Sequence, residues 1–262
     1  MSEASVLFTR AGSVGQITLN RPTQGNAIDM SVASGLADIA LECESDPSIR
    51  CVVLSATGRF FCAGGDLGLF KDAGPRISVL LDELAGTLHT ALIRLARMQK
   101  PLLTLVNGPA AGAGLSLAIA GDLVLAARSA HFTCAYSGVG LTPDGGMTWM
   151  LPRLVGVRKA QEMLLTNRRV DANDAERIGL ITRAVDDGSL AEEGAKLAAT
   201  LARSATRALG VTRSLLLQSF DSSFETQLAR EARAIAAAGK DQEGVEGVAA
   251  FISKRPPDFQ GA

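Results

Sequence analysis

The groups that mark a metal site, a disulfide scaffold or a membrane segment are scarce in this sequence. Its 262 residues include two histidines, His89 and His131, and four cysteines, Cys43, Cys51, Cys62 and Cys134. No two cysteines form a C-x-x-C pair and the histidines lie far apart in the chain, so neither zinc ligation nor a disulfide framework is indicated. Cysteines used in this way imply reduced thiols and a cytoplasmic location. The opening stretch MSEASVLFTRAG lacks the basic start and apolar run of a leader, and no later run reaches the about 18 apolar residues of a membrane span. An excess of one charge is missing too. Lys+Arg at 26 against Asp+Glu at 27 leaves a net charge of -1, with no basic stripe for nucleic acid and no acidic tail. Nor is there a phosphate-cradling motif of the G-x-G-x-x-G or G-x-x-x-x-G-K-[ST] type. What is present, 47% hydrophobic and 20% charged residues, is enough to bury a full core unaided.

In the first half, short β-rich runs at Val14–Asn20, Cys51–Ala56, Leu102–Asn107 and Asp122–Ala127 alternate with helical patterns at about Met30–Glu44 and Ile77–Met98. The second half is almost free of strand signals. Helical spacing dominates there, at about Leu190–Arg203, Ala205–Ser219, Phe224–Ala238 and Glu243–Lys254. The reading is an α/β core followed by a helical layer, with Arg255–Ala262 as a terminal extension. Glycines concentrate in two strand-to-helix turns, Gly58–Gly68 and Gly108–Gly114. Each presents backbone N–H groups near a helix N-terminus, and two such turns brought together would form an oxyanion hole.

Four segments carry a resemblance: ITLNRPTQGNAI (Ile17–Ile28), FFCAGGDL (Phe60–Leu67), Lys100–Ala127 with its VNGPAAGAGLSLA core, and GLTPDGGMTWMLPRLVG (Gly140–Gly156). In their order and spacing they resemble the crotonase, or enoyl-CoA hydratase/isomerase, superfamily over nearly the whole chain. The pattern is nearest its isomerase branch, including the ring-epoxide isomerase of phenylacetate degradation. The resemblance implies the α/β crotonase (ClpP/crotonase) fold: a spiral of ββα units over about residues 1–200, then a C-terminal helical trimerisation region over 201–262. It further implies an acyl-CoA thioester as substrate, no bound cofactor or metal beyond the coenzyme A of the substrate, and a homotrimer or dimer of trimers. Neither nucleic acid nor membrane enters as a partner.

Carried over position by position, the oxyanion donors would be the backbone N–H groups of Gly65 and Ala113. Family members usually have glycine at the second position; alanine keeps the donor. Hydratases place glutamates where this chain has Ser116 and Tyr136, and neither residue suits water addition. Hydratase activity is therefore expected to be weak. One acidic residue falls in the right region, Asp144 of LTPDGG. Local sequence alone makes it the N-cap of the helix beginning near Met147, whereas the resemblance makes it the acid/base that moves a proton along the acyl chain.

Gln24, Asn26, Ala27, Ala63, Asp66 and Leu67 are the implied substrate contacts, with Ser116 and Tyr136 near the acyl group. Asp66 equally suits a helix cap. Phe70 with the helix after it, Leu141 and Met147 would form the acyl pocket, in which Lys71–Arg76 is the part that varies most across the family. Three other readings remain open. His89 with an aspartate nucleophile resembles halobenzoyl-CoA dehalogenases, although a helix residue with a local hydrogen bond explains His89 as well. Ser116 in Gly114–Ala118 nearly matches a G-x-S-x-G nucleophile elbow, but the order of partners argues against a serine hydrolase. A non-catalytic acyl-CoA binder is the third.

Overall fold

A computed structural model describes residues 4–261. Residues 1–3, the first of the MSEASVLFTRAG stretch, and residue 262 lie outside the described part. A six-stranded sheet forms the centre, built from β1 (Val6–Ala11), β2 (Val14–Leu19), β3 (Cys51–Ala56), β4 (Leu102–Val106), β6 (Leu123–Ala127) and β9 (Arg183–Val185) in the order β1-β2-β3-β4-β6-β9. Only the β1–β2 hairpin is antiparallel. A second, three-stranded sheet joins β5 (Ala110–Ala111), β7 (His131–Thr133) and β8 (Val170–Asp171). Single bridges extend it, Cys62 to Ala110 and Ile28 to Gly65. The chain thus repeats one move: a strand in the large sheet, a short pairing in the small one, then helix. This is a spiral of ββα units.

The helices follow from local sequence. The Asp29 carboxylate accepts Val32 N–H and starts α1 (Met30–Ser45), a cap contributing about 1 kcal/mol. Asp66 likewise caps α2 (Leu67–Ala73), accepting from Gly68 and Leu69. In α3 (Ile77–Arg97) the buried residues Leu84, Leu88, Ala91 and Leu95 form one stripe, which packs with α1 on one face of the large sheet. Alternation along β3 and β4 divides two apolar clusters: Val52, Leu54 and Leu102 face that side, while Cys51, Val53 and Leu103 face the other. There α8 (Leu190–Arg203) covers the sheet, and Gly194 allows close approach because an added Cβ would come within 2.5 Å of Leu105.

Along the chain follow α4 (Ala113–Ala118), α5 (Met147–Val155), α6 (Val157–Thr166) and α7 (Ala172–Arg177). The chain closes with α9 (Thr206–Ser219), α10 (Phe224–Ala238) and α11 (Gln242–Ile252). Two arginines fasten this helical region to the core. Arg213 caps the carbonyl end of α3 through Leu95, Met98 and Lys100 oxygens and pairs with Asp122. Arg50 bonds the Ala202 and Ser204 carbonyls and pairs with buried Glu243. Lys100, also buried, puts its ammonium on the Cys43, Glu44 and Asp46 carbonyls at the end of α1. Burial lowers its pKa, and these carbonyls answer the lost hydration.

Candidate active site

The two glycine-rich turns meet beside the small sheet. Ala111 N–H donates to Cys62 O at 2.9 Å, and a Cβ on Gly112 would lie 3.8 Å from Gly64 Cα. Contact this close tolerates no side chains: a Cβ on Gly114 would sit 2.3 Å from Cys62 O, and one on Gly65 2.5 Å from the Phe70 ring. Gly112 also adopts φ 53°, ψ -129°, open essentially to glycine alone. The bridge with Ile28 takes up Gly64 O and Asp66 N–H, so Gly65 N–H points to the opposite side. Ala113 opens α4, where a first-turn N–H has no intrahelical acceptor. Among the described residues, neither N–H has a partner in the protein. Both residues line one cavity of about 430 Å³.

Asp144 lines the same cavity. It does not cap α5: Met147 N–H bonds its backbone oxygen, and the N-cap is Gly146, with no side-chain cap. Of the two roles open in the sequence, the cap is overturned. The carboxylate accepts instead from Tyr136 Oη at 2.7 Å on Oδ1, and Oδ2 has no protein partner among the described residues. Ser116 Oγ donates to the Asp144 carbonyl at 3.1 Å, and the following N–H, of Gly145, donates to His89 Nε2 at 3.0 Å. Burial and the adjacent Asp144 charge push the Tyr136 phenol well above its ordinary pKa, so it remains a donor. Ala135, just before it, has φ 65°, a strained conformation for a residue with a side chain.

A profile described as enoyl-CoA hydratase/isomerase matches residues 9–262. The 1,2-epoxyphenylacetyl-CoA isomerase of Escherichia coli (strain K12) is 38% identical over 253 residues, covering 94% of each chain. A probable enoyl-CoA hydratase of Rhodobacter capsulatus is 36% identical over the full length of both. The crystal structure of an enoyl-CoA hydratase from Polaromonas sp. JS666 superposes with a TM-score of 0.93 at 32% identity, covering 97% of this chain and 98% of that one. The chain belongs to the enoyl-CoA hydratase/isomerase family. Its architecture is the α/β crotonase fold with a C-terminal helical region, and the family's chemistry is enzymatic, on acyl-CoA thioesters.

Within this enoyl-CoA hydratase/isomerase fold, the cavity gathers Ala63, Gly65, Leu67, Ala113, Tyr136 and Asp144. Others fall outside its lining. Asn26 is buried with its amide on the Thr57 and Phe60 carbonyls at 2.8 Å and its oxygen on Arg21 N–H, so its side chain holds the turn together and faces no ligand. Asp66 caps α2 and lies 3.3 Å from Arg21, again a structural engagement. Gln24 is exposed and Ala27 buried beside this turn. Ser116 sits behind Asp144 and reaches no histidine, which removes the basis for a serine nucleophile. Phe70 and Leu141 line the cavity as expected, whereas Met147 is wholly buried in the core behind it. Sequence reading missed Asp82, which with Ser78, Leu81, Leu84, Ala85 and Leu88 forms the α3 wall. Its helical spacing from the buried stripe was the available signal.

No cysteine lines the cavity among the described residues. Burial pushes the Cys62 thiol, next to the first turn, up to about 12. Among the described residues no group of three His, Cys, Asp or Glu side chains is arranged to hold a metal, and no helix is long and apolar enough to cross a membrane.

Proposed function

We propose that this enzyme shifts a double bond, or opens and rearranges a ring epoxide, in an enoyl-type acyl-CoA, with Asp144 as the acid/base. The observation that carries the reading is the Asp144 carboxylate held by Tyr136 in a cavity that also holds two N–H groups without a protein partner among the described residues. The thioester oxygen sits between Gly65 and Ala113 N–H, each donor contributing roughly 10²–10³ in rate as negative charge develops there. Oδ2 of Asp144 removes a proton from carbon 2, the dienolate charge rests on the thioester oxygen, and the same carboxyl returns the proton to carbon 4. No atom is gained or lost. The E. coli relative named as an epoxide isomerase supports this branch. Gln24, Ala27, Ala63 and Leu67 border the thioester arm. The only charged side chains lining the cavity among the described residues are Asp82 and Asp144, which favours an uncharged acyl group. Residues 201–262 form the trimer contact, and the unbridged, buried cysteines suit the cytoplasm.

Asp82 supports a second reading. Water addition works best with two acid/base groups, and Asp82 is the second carboxylate in the lining. Incubation with 3-enoyl- and 2-enoyl-CoA in deuterated buffer separates the two. Bond migration and carbon-bound deuterium, lowered ~10²–10⁴-fold in Asp144→Asn and retained in Asp82→Asn, are expected. Accumulation of 3-hydroxyacyl-CoA near the common enzymatic rate of ~10 s⁻¹, dependent on both carboxylates, would establish hydration instead.

A further inference from the structure

The imidazole of His89 takes no part in the steps above and does not line the cavity, yet its Nε2 accepts the N–H of the residue next to Asp144. Gly140, Gly145 and Gly146 in that segment all have positive φ, and glycine loses more conformational freedom on ordering than any other residue. Three side chains restrain the segment from outside. Tyr136 holds the carboxylate, Ser116 holds the Asp144 carbonyl, and His89 holds Gly145 N–H. Tyr136 and Ser116 come from the turn side. Only His89 comes from α3, whose neighbouring Leu88 and Ala85 form the opposite wall of the cavity. Gly145 has no room to settle elsewhere on its inner side, since a Cβ there would lie 2.8 Å from Ser116 Cβ. Because the amide donates, Nε2 is the acceptor of this bond.

We propose that His89 is a positioning residue that fixes the Asp144 carboxylate against the α3 wall by accepting the Gly145 N–H. The proposal rests on Asp144 being the acid/base. The Gly145 N–H is partly buried; without its acceptor it no longer fixes the segment, and misplacement of a reacting group lowers the chemical step with little effect on substrate binding.

The test compares His89→Leu, which keeps bulk without an acceptor, with His89→Gln, whose amide oxygen can take the same N–H. Deuterium incorporation into the acyl chain gives kcat and KM, and hydrogen exchange by mass spectrometry follows the peptide containing Gly145 without requiring turnover. Expected for Leu is a kcat lowered ~10–100-fold at nearly unchanged KM, with faster Gly145 exchange, and recovery of both in Gln. Normal kcat or unchanged exchange in the Leu variant overturns the proposal, as does a raised KM at constant kcat. If Leu does not fold, Gln against His89→Asn, whose shorter amide falls short, carries the same comparison: Asn is expected to lose kcat and protection, and equal behaviour of the two overturns the proposal. Asp144→Asn runs alongside. Activity retained there overturns the acid/base reading itself, whereas its loss beside an unaffected Leu variant overturns only the role of His89.

Discussion

Tyr136 and Ser116, the positions that the family resemblance matches to hydratase glutamates, both turn toward Asp144. On the proposed reading, both support one carboxylate at a third position. A hydrogen bond to a charged group contributes roughly 1.5–3 kcal/mol, so Tyr136→Phe is expected to lower kcat for deuterium exchange by ~10–100-fold. KM should change little, because the phenol contacts the carboxylate and the loss falls on the chemical step. A several-fold rise in KM at constant kcat would show that the phenol meets substrate instead. The missing glutamates are visible in the sequence; what their replacements bond is not. Ser116 and Tyr136 reach Asp144 only because α4 and the turn after β7 converge on the same end of the small sheet, a tertiary fact with no local signal. Asn26 shows the converse. Its place in the N-R-P stretch implies a ligand contact made mostly through backbone, while its buried side chain makes three framework bonds that the sequence does not show.

Among the elements, those with full periodicity were legible: Cys51–Ala56, Leu190–Arg203 and Phe224–Ala238 match the expected bounds, and α1 and α3 match within a residue. Elements of two or three residues, β5, β8 and β9, were not read from the sequence, and β7 only as a strand edge at His131. So short a strand has no alternation to detect and exists only through its neighbours. β1 is also absent from that reading, its outer end, Thr9 to Ala11, being exposed. The tail after α11 reads as a free extension, but Glu246 docks it, accepting both Arg255 guanidinium nitrogens at 2.6 and 2.7 Å and Asp258 N–H at 2.8 Å. The Arg255 and Asp258 bonds hold the Glu246 carboxyl down at about 2, below the usual 4.5. A depressed carboxylate pKa contributes stability above the unfolded value that is lost as pH falls toward the folded one. Tail docking is therefore expected to be complete above about pH 5 and to weaken steadily below about 4.5. Hydrogen exchange of residues 253–261 across that range checks it. Glu246→Gln should show the released pattern already at neutral pH, and an unchanged tail in that variant would remove Glu246 as the anchor.

At the scale of the whole molecule, the C-terminal helices carry many of the exposed apolar side chains. On α9, α10 and α11 the side chains of Leu216, Phe224, Ile235, Val248, Phe251 and Ile252 are exposed, Phe251 by 86% and Ile235 by 75%. Single exposed apolar residues are ordinary, whereas several on consecutive helices are what the proposed association surface requires. Arg213 of α9 and Arg50, paired with Glu243 of α11, fasten two of these helices to the core. α9 also meets α5: Phe220, just beyond α9, lies edge-on to Trp149 at 5.5 Å, and Arg153 covers that indole at 4.0 Å. Trp149 stands on α5, the helix that follows Asp144. Symmetric closure with copies of the same chain covers such a surface without leaving open ends. The purified protein is expected to elute with three or six times the 27.2 kDa chain mass by light scattering. Phe251→Glu with Ile235→Glu should reduce that mass, and Trp149 emission should change as assembly is lost. A monomer in the wild type at micromolar concentration would refute the assembly. If the double variant stays folded, monomeric and fully active, the acid/base site is complete within one chain and the helical surface serves stability alone.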